Sequence, residues 1–137
     1  MRTFGAAAMR NDAEQRLLDG LHVLVAEDDQ LQCDGICSAI ADFGATVVGP
    51  AHSKSEAHRL AISAAIDIAV VDIDLGDGDS FDLARTLKSQ GRPFIFATGY
   101  DCREIPPDFS QVKCLEKPFS EHALFSSLVE AVSATRH

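Results

Sequence analysis

The stretch of sequence that decides the fold is IDIAVVD, residues Ile66–Asp72. It has the length of a strand and is apolar on both faces, which is typical of parallel sheets that helices cover on both sides. Outward from it, apolar runs of strand length alternate with segments whose apolar residues recur at helical spacing. The other strands are predicted at Leu21–Ala26, Thr46–Gly49, Phe94–Ala97 and Val112–Leu115. This alternation predicts an α/β domain of five β-α units with parallel strands and right-handed crossovers.

The predicted helices rest on apolar spacing and on residues that begin or end helices. The first helix carries four apolar residues at helical spacing: Leu31, Ile36, Ile40 and Phe43. Gly44 ends that helix, because glycine readily adopts the left-handed conformation found there. Ser53 and Glu56 form a capping box that begins the second helix, and Ser120 caps the last one.

Two segments lie outside this regular pattern. Residues 1–20 are expected to be an N-terminal extension, with a short helix over Asn11–Asp19. The connection between the fourth and fifth strands, Tyr100–Gln111, contains Pro106 and Pro107. Because consecutive prolines cannot lie inside a regular helix, we expect an irregular or shortened fourth helix of at most one or two turns.

Composition limits the class of protein. With 137 residues the chain is long enough for one domain, and 12 Lys and Arg against 21 Asp and Glu give a net charge of −9. Such a surface repels nucleic acid and anionic membranes, and no apolar run reaches the ~18 residues of a membrane span, so neither is expected as a partner. Without an export signal, the four cysteines are interpreted as reduced thiols of a cytoplasmic protein: Cys33, Cys37, Cys102 and Cys114.

Residues able to do chemistry follow the predicted strands. Glu27 and Asp28 follow the first strand, Asp72 ends the third, Thr98 follows the fourth and Lys117 follows the fifth. Ligands of parallel sheets bind beyond the carboxyl ends of the strands, so these side chains are expected to converge. Carboxylates held together repel one another unless a cation neutralises them, and an open all-oxygen site suits Mg²⁺. None of the five histidines is expected near this site.

A carboxylate beside Mg²⁺ can act as a nucleophile on phosphorus. Four segments carry a family resemblance, each at a predicted strand end and in order along the chain: Val23–Asp28, Val70–Leu75, Phe96–Gly99 and Glu116–Phe119. With them the sequence resembles the receiver domain of two-component response regulators, over about residues 21–134. The resemblance implies the doubly wound, flavodoxin-like (βα)₅ fold with parallel strand order 2-1-3-4-5.

The same resemblance implies a role for each site residue. Asp72 would accept the phosphoryl group, and Thr98 and Lys117 would contact it. The residues that would hold Mg²⁺ are Glu27, Asp28, Asp72 and Asp74, with Glu27 acting through water and Asp74 through its backbone carbonyl. The Lys117-Pro118 bond resembles the cis peptide of the family.

The implied biology is that of a phosphoacceptor which is not a turnover enzyme and which dephosphorylates itself slowly. A histidine kinase would donate the phosphoryl group. The receiver would act as a phosphorelay shuttle, a sink or a switch for a downstream protein or a histidine phosphotransfer protein, as a monomer or weak dimer.

Three positions depart from the usual family pattern. Gly76 stands where proline is usual, Ser80 where glycine is frequent, and Cys114 where an aromatic residue normally rotates on activation. The run Pro93–Tyr100 resembles the Phe-Ala-Thr-Gly-Tyr (FAT GUY) subclass, whose members lack that aromatic residue. This resemblance predicts a stand-alone receiver without an output domain.

Two alternatives remain open. Asp72 and Asp74 mimic the Asp-x-Asp pair of haloacid-dehalogenase-like phosphohydrolases, but that family needs its acidic metal pair after the lysine, and here Glu27 and Asp28 precede it. A pseudo-receiver that only binds a partner is the second alternative. It is disfavoured because a purely structural domain gains nothing from clustered carboxylates.

Overall fold

A computed structural model describes residues 16–135 of the chain, and a five-stranded parallel sheet forms its centre. The strands are β1 (His22–Ala26), β2 (Thr46–Ala51), β3 (Ile68–Asp72), β4 (Phe94–Thr98) and β5 (Cys114–Glu116). Their order across the sheet is β2-β1-β3-β4-β5, and every neighbouring pair is parallel. The predicted doubly wound α/β fold and its strand order are confirmed.

Helices cover both faces of the sheet. The α-helices are α1 (Gln30–Asp42), α2 (Lys54–Ser63), α3 (Phe81–Ser89) and α4 (Glu121–Thr135). Between β4 and β5 the chain forms only two short 3₁₀ helices, Cys102–Glu104 and Pro107–Phe109, as the proline pair predicts. Within residues 16–135, no helix is both long and apolar enough to cross a membrane.

The predicted helix caps are present. The Ser53 hydroxyl accepts a hydrogen bond from the Glu56 amide at 3.2 Å. The Glu56 carboxylate reaches one residue further back than in a standard capping box, because it accepts from the His52 amide at 2.9 Å. At the start of α4, the Ser120 hydroxyl accepts from the Ala123 amide at 3.0 Å. The bonds to the Ser53 and Ser120 hydroxyls each satisfy an amide that the first turn of a helix leaves free.

The core lies on both faces of the sheet, and all residues of β3 and β4 are buried. On one face, α1 and α4 pack over the sheet, and Leu18 of the N-terminal turn joins this cluster. On the other face, α2, α3 and the segment after β4 form a second cluster. Leu31, predicted to lie on the apolar face of α1, is instead 81% exposed, because it sits in the first turn of the helix, beyond the packed part of its face.

The helix predicted at Asn11–Asp19 falls mostly on residues 1–15, outside the described part of the chain. Residues 16–20 form a turn, and Gly20 has a φ of 75° that favours glycine.

A disulfide and a buried ring are two of the contacts that hold the β4–β5 connection, defined here as residues 99–113, to the rest of the domain. Cys102 forms a disulfide with Cys114, with Cα atoms 6.0 Å apart. Phe109 is buried among Phe81, Phe94 and Phe96. The prediction of four reduced thiols is therefore wrong for Cys102 and Cys114. The pairing of Cys102 with Cys114 depends on the tertiary structure, because the first 3₁₀ helix turns the chain back and places Cys102 against the start of β5.

Candidate functional site

Strand pairing brings three carboxylates together at the carboxyl end of the sheet. In the register of β1 and β3, Ala26 pairs with Val71, so the next residues, Glu27 and Asp72, lie side by side. One carboxylate oxygen from each of Glu27, Asp28 and Asp72 lies within 4.8 Å of the others. Glu27 and Asp72 are buried, whereas Asp28 is exposed. The cluster is therefore buried on the side of Glu27 and Asp72 and open to solvent on the side of Asp28.

Lys117 bridges the two buried carboxylates. Its Nζ donates a hydrogen bond to Glu27 Oε1 and another, of 2.9 Å, to Asp72 Oδ2. The Lys117 amide donates to the carbonyl of Thr98 at 2.7 Å, and the Lys117-Pro118 bond is cis, as the family resemblance implies. The lysine head group is thus held over the cluster by the residue directly after β5, whose backbone is hydrogen-bonded to the end of β4.

The electrostatics of the cluster follow from burial and repulsion. Burial, reinforced by the contact with Asp72, raises the pKa of Glu27 to about 7, although Lys117 opposes the shift. Burial alone would lower the pKa of Lys117, but its hydrogen bonds to Glu27 and Asp72 outweigh that effect and the pKa is raised. The cluster therefore holds one fixed cation and carries surplus negative charge that a further cation can neutralise.

Thr98 lies at the end of β4, one residue beyond the pairing of Asp72 with Ala97. Its side chain is fully buried, and its hydroxyl oxygen accepts a hydrogen bond from the Tyr100 amide at 3.0 Å. The family resemblance implies that this hydroxyl contacts the phosphoryl group. The structure adds that the same hydroxyl holds the first residues of the β4–β5 connection.

Asp74 lies at the exposed rim. Its amide donates to Asp72 Oδ1 at 3.2 Å, and its carboxylate accepts from the Tyr100 hydroxyl at 3.2 Å. That second hydrogen bond raises the pKa of Tyr100. Tyr100, itself 56% exposed, thus crosses the mouth of the site from β4 to the loop after β3.

Two further residues lie beside site residues, and sequence reasoning assigned neither of them to the site. A Cβ on Gly76 would approach Asp28 Oδ2 to 2.8 Å, and the φ of Gly76 is 83°, so the departure from proline lets this loop pass close to Asp28. The ring Nδ1 of His52 lies 3.0 Å from the backbone oxygen of Glu27, so the expectation of no histidine nearby is wrong. The pairing of β2 with β1 places His52 there, and that pairing is not visible in local sequence.

The comparisons with known proteins agree with this arrangement. The model of the response regulator receiver domain matches residues 23–129, well over half of the chain. This chain belongs to the response regulator receiver family. Receiver domains are phosphoacceptors of two-component systems rather than turnover enzymes, and they generally bind Mg²⁺ at an acidic pocket.

Named relatives show how far the likeness extends. The transcriptional regulatory protein PdtaR of Mycobacterium tuberculosis is 29% identical over 118 residues, which cover 83% of this chain and 58% of that protein. The chain spans about half the length of the curated relatives it matches.

Solved structures share the receiver fold. A response regulator receiver protein from Sinorhizobium medicae is 24% identical with a TM-score of 0.74, over 86% of this chain and 98% of that one. The response regulator PhyR from Brucella abortus is 24% identical with a TM-score of 0.77, over 97% of this chain and 56% of that one. At these identities the likeness bears on the fold alone.

Proposed function

We propose that this receiver accepts a phosphoryl group on Asp72 from the phosphohistidine of a histidine kinase, in a Mg²⁺-dependent reaction. The observation that carries the proposal is the bridge from Lys117 to Glu27 and Asp72, with Asp28 in the same cluster. A structural domain has no need to bury two carboxylates against each other, because that burial opposes folding. The arrangement is explained if Asp72 is the nucleophile and if Glu27 and Asp28 help to hold the cations that balance its charge.

In the proposed step, an oxygen of Asp72 attacks phosphorus and the phosphorus–nitrogen bond of the phosphohistidine breaks. The electron pair of that bond leaves with the imidazole, and the product is an aspartyl phosphate. Lys117 would pair with one phosphoryl oxygen as a point charge, and the Thr98 hydroxyl would donate to another while it still accepts from the Tyr100 amide. Hydrolysis of the product would be slow.

The carboxylates suit a magnesium ion by their chemistry. Three carboxylate oxygens within 4.8 Å, one of them on a solvent-exposed residue, form a hard and incomplete ligand set that leaves room for water and phosphate. Glu27, Asp28 and Asp72 would hold the ion together with the backbone carbonyl of Asp74, Glu27 through water. The ion would supply charge neutralisation for the incoming phosphoryl group.

A groove next to this cluster would receive the protein that carries the phosphohistidine. An apolar groove of about 590 Å³ begins beside Lys117 and runs between α1 and the loop that leads into α4. Its apolar lining is formed by Ile36, Ala39, Pro118, Phe119 and Leu124. A phosphohistidine must approach Asp72 from a protein surface, and this groove would receive the helices that carry it.

The subclass and the mode of signalling belong to the same proposal. Pro93–Tyr100 and the lack of an aromatic residue at Cys114 support membership of the FAT GUY subclass. Without a rotating aromatic, the response to phosphorylation would be carried by the β4–β5 connection. The receiver would work in the cytoplasm as a shuttle, sink or interaction switch.

Acetyl phosphate with Mg²⁺, followed by intact-mass measurement, tests the acceptor. The expected result is one phosphoryl adduct that is lost in Asp72→Asn and when the metal is chelated. Asp82→Asn, which removes an exposed carboxylate on α3, is the matched control and should retain the adduct. An adduct of equal yield in Asp72→Asn would overturn the assignment, and turnover of many phosphoester molecules per protein would favour the phosphohydrolase alternative.

A further inference from the structure

The disulfide of the β4–β5 connection occupies a position where the family signals. Cys114 is the first residue of β5 and pairs with Phe96 of β4, and it stands at the position of the usual rotating aromatic. Its partner Cys102 lies in the first 3₁₀ helix, 12 residues earlier in the chain. The bond therefore closes the connection into a loop whose ends are both anchored at the edge of the sheet.

A short path joins this loop to the site. The Cys102 amide donates to Glu116 Oε2 at 3.0 Å, which adds a second link to β5. Two residues before it, Tyr100 contacts both the Thr98 hydroxyl, through its amide, and the Asp74 carboxylate, through its phenol. Any motion of Thr98 toward a phosphoryl group must therefore pull on a segment that Cys102 fixes.

The other two cysteines provide an internal contrast. Cys33 and Cys37 lie one turn apart in α1 with sulfur atoms 3.9 Å from each other, yet both are free. Burial raises the pKa of Cys33 to about 12 and also raises that of Cys37, so neither readily forms the reactive thiolate. Cys102 and Cys114 are both partly exposed, so a thiol reagent can reach this part of the surface.

We propose that Cys102 and Cys114 form a redox modification site, whose disulfide restrains the β4–β5 connection and whose reduction frees it to respond at Asp72. The second half of this inference rests on the proposed function. In reducing compartments, disulfides that form are usually transient and sensory, which suits a bond placed at a signalling segment.

The chemistry is thiol–disulfide exchange. A thiolate of a reducing dithiol attacks one sulfur of the disulfide, the bond breaks, and the other cysteine leaves as a thiolate that takes up a proton. The second thiol of the reductant then resolves the mixed disulfide, so the reductant becomes a disulfide and the receiver gains two thiols. Re-oxidation by a low-molecular-weight disulfide runs through the same steps in reverse.

The first experiment tests the modification site alone. The purified chain is incubated with oxidised glutathione or with dithiothreitol, alkylated with iodoacetamide and mapped by peptide mass. After oxidation, Cys102 and Cys114 should be protected from the reagent and recovered as one cross-linked peptide, and after dithiothreitol both should be alkylated. Cross-linking of Cys33 to Cys37 instead, or full alkylation of Cys102 and Cys114 after oxidation, would overturn the proposal.

The second experiment tests the coupling to the site. Amide exchange of residues 99–113 is measured in oxidised and reduced protein, with and without beryllofluoride as a stand-in for the phosphoryl group. Reduction should speed exchange in this segment by about tenfold, and beryllofluoride should change exchange more than about threefold only in the reduced protein. Cys33→Ala/Cys37→Ala is the control that keeps the disulfide, and Cys102→Ser/Cys114→Ser should behave as permanently reduced.

The outcomes separate the two proposals. Equal exchange and equal beryllofluoride responses in both redox states would overturn the redox inference while leaving Asp72 as acceptor. A clear redox difference in exchange without any adduct from acetyl phosphate in either state would instead overturn the proposed function.

Discussion

Two regions at the carboxyl end of the same sheet differ in what defines them. The strand-end cluster, formed by Glu27, Asp28, Asp72 and Lys117, is built from residues at or just beyond the ends of strands. The β4–β5 connection has little regular structure and is held by a disulfide, a buried phenylalanine and hydrogen bonds to Asp74 and Glu116.

The rigidity of these two regions has different sources. Parallel pairing fixes the positions of the cluster residues, because parallel strands all end at the same edge of the sheet. This holds whatever the connecting segments between the strands are. The connection has no such ladder, and its order depends on a few contacts with distant residues. We therefore expect that loss of one contact in the connection changes the order of nearby residues. Loss of one residue of the cluster should instead change the charge balance of the cluster.

The largest expected effect is on the connection. Phe109→Ala should lower the free energy of unfolding by about 4 kcal/mol, because the ring is 1% exposed and packs against three other phenylalanines. Urea denaturation of the oxidised protein measures it. Ile105→Ala, in the same connection but only half-buried, is the control and should cost clearly less. Equal losses would mean that Phe109 is not the anchor of this segment.

The next effect is on the cluster. Lys117→Met should lower the free energy of unfolding by about 3 kcal/mol at pH 7.5, because it leaves Glu27 and Asp72 buried beside each other without their cation. Added Mg²⁺ should recover part of this loss. Lys113→Met, which removes an exposed lysine of the connection, is the matched control and should change stability little. A loss no greater than that of the control would show that the bridge does not stabilise the fold.

The pH dependence of stability also tests the electrostatics of the cluster. The folded pKa of Glu27 is raised to about 7 from 4.5, so between these values the folded chain binds a proton that the unfolded chain has lost. Stability of the metal-free protein from this group should therefore fall by about 2 kcal/mol as pH rises from about 5 to 6.5.

Denaturation of the wild type and of Glu27→Gln across this range isolates the effect, since other titrating groups are common to both proteins. The Gln variant should show a flatter profile. Parallel profiles would mean that Glu27 is already ionised in the folded state.

The smallest effect concerns the contact between the two regions. Asp74→Asn should lower the pKa of Tyr100 toward its ordinary value, because the hydrogen bond to the Asp74 carboxylate is the largest cause of the raised pKa. The chain has one Tyr and no Trp, so the near-ultraviolet absorbance of the phenolate reports this residue alone. Asp82→Asn should leave the titration unchanged, and so would Asp74→Asn if the contact is absent in solution.

Sequence reasoning succeeded where the signal is local. The strands, the caps at Ser53 and Ser120, and the irregular segment between β4 and β5 were predictable from apolar runs, hydroxyl residues and prolines. Leu31 shows the limit of that method, because its spacing fits the apolar face while its position in the first turn leaves it exposed. The proline pair also predicts weak ordering of Tyr100–Ser110, which stays a prediction, and the buried ring of Phe109 limits it.

By itself the sequence determined the order of the elements and the residues that follow each strand, since these depend on neighbours a few positions away. Only the tertiary structure decided that Lys117 lies between Glu27 and Asp72 and that His52 reaches Glu27. It also decided that Cys102 pairs with Cys114 while Cys33 and Cys37, closer in sequence, do not. The physical reason is the same in each case: such contacts join residues far apart along the chain, and their distance is set by sheet register and by the path of the connection rather than by any local pattern.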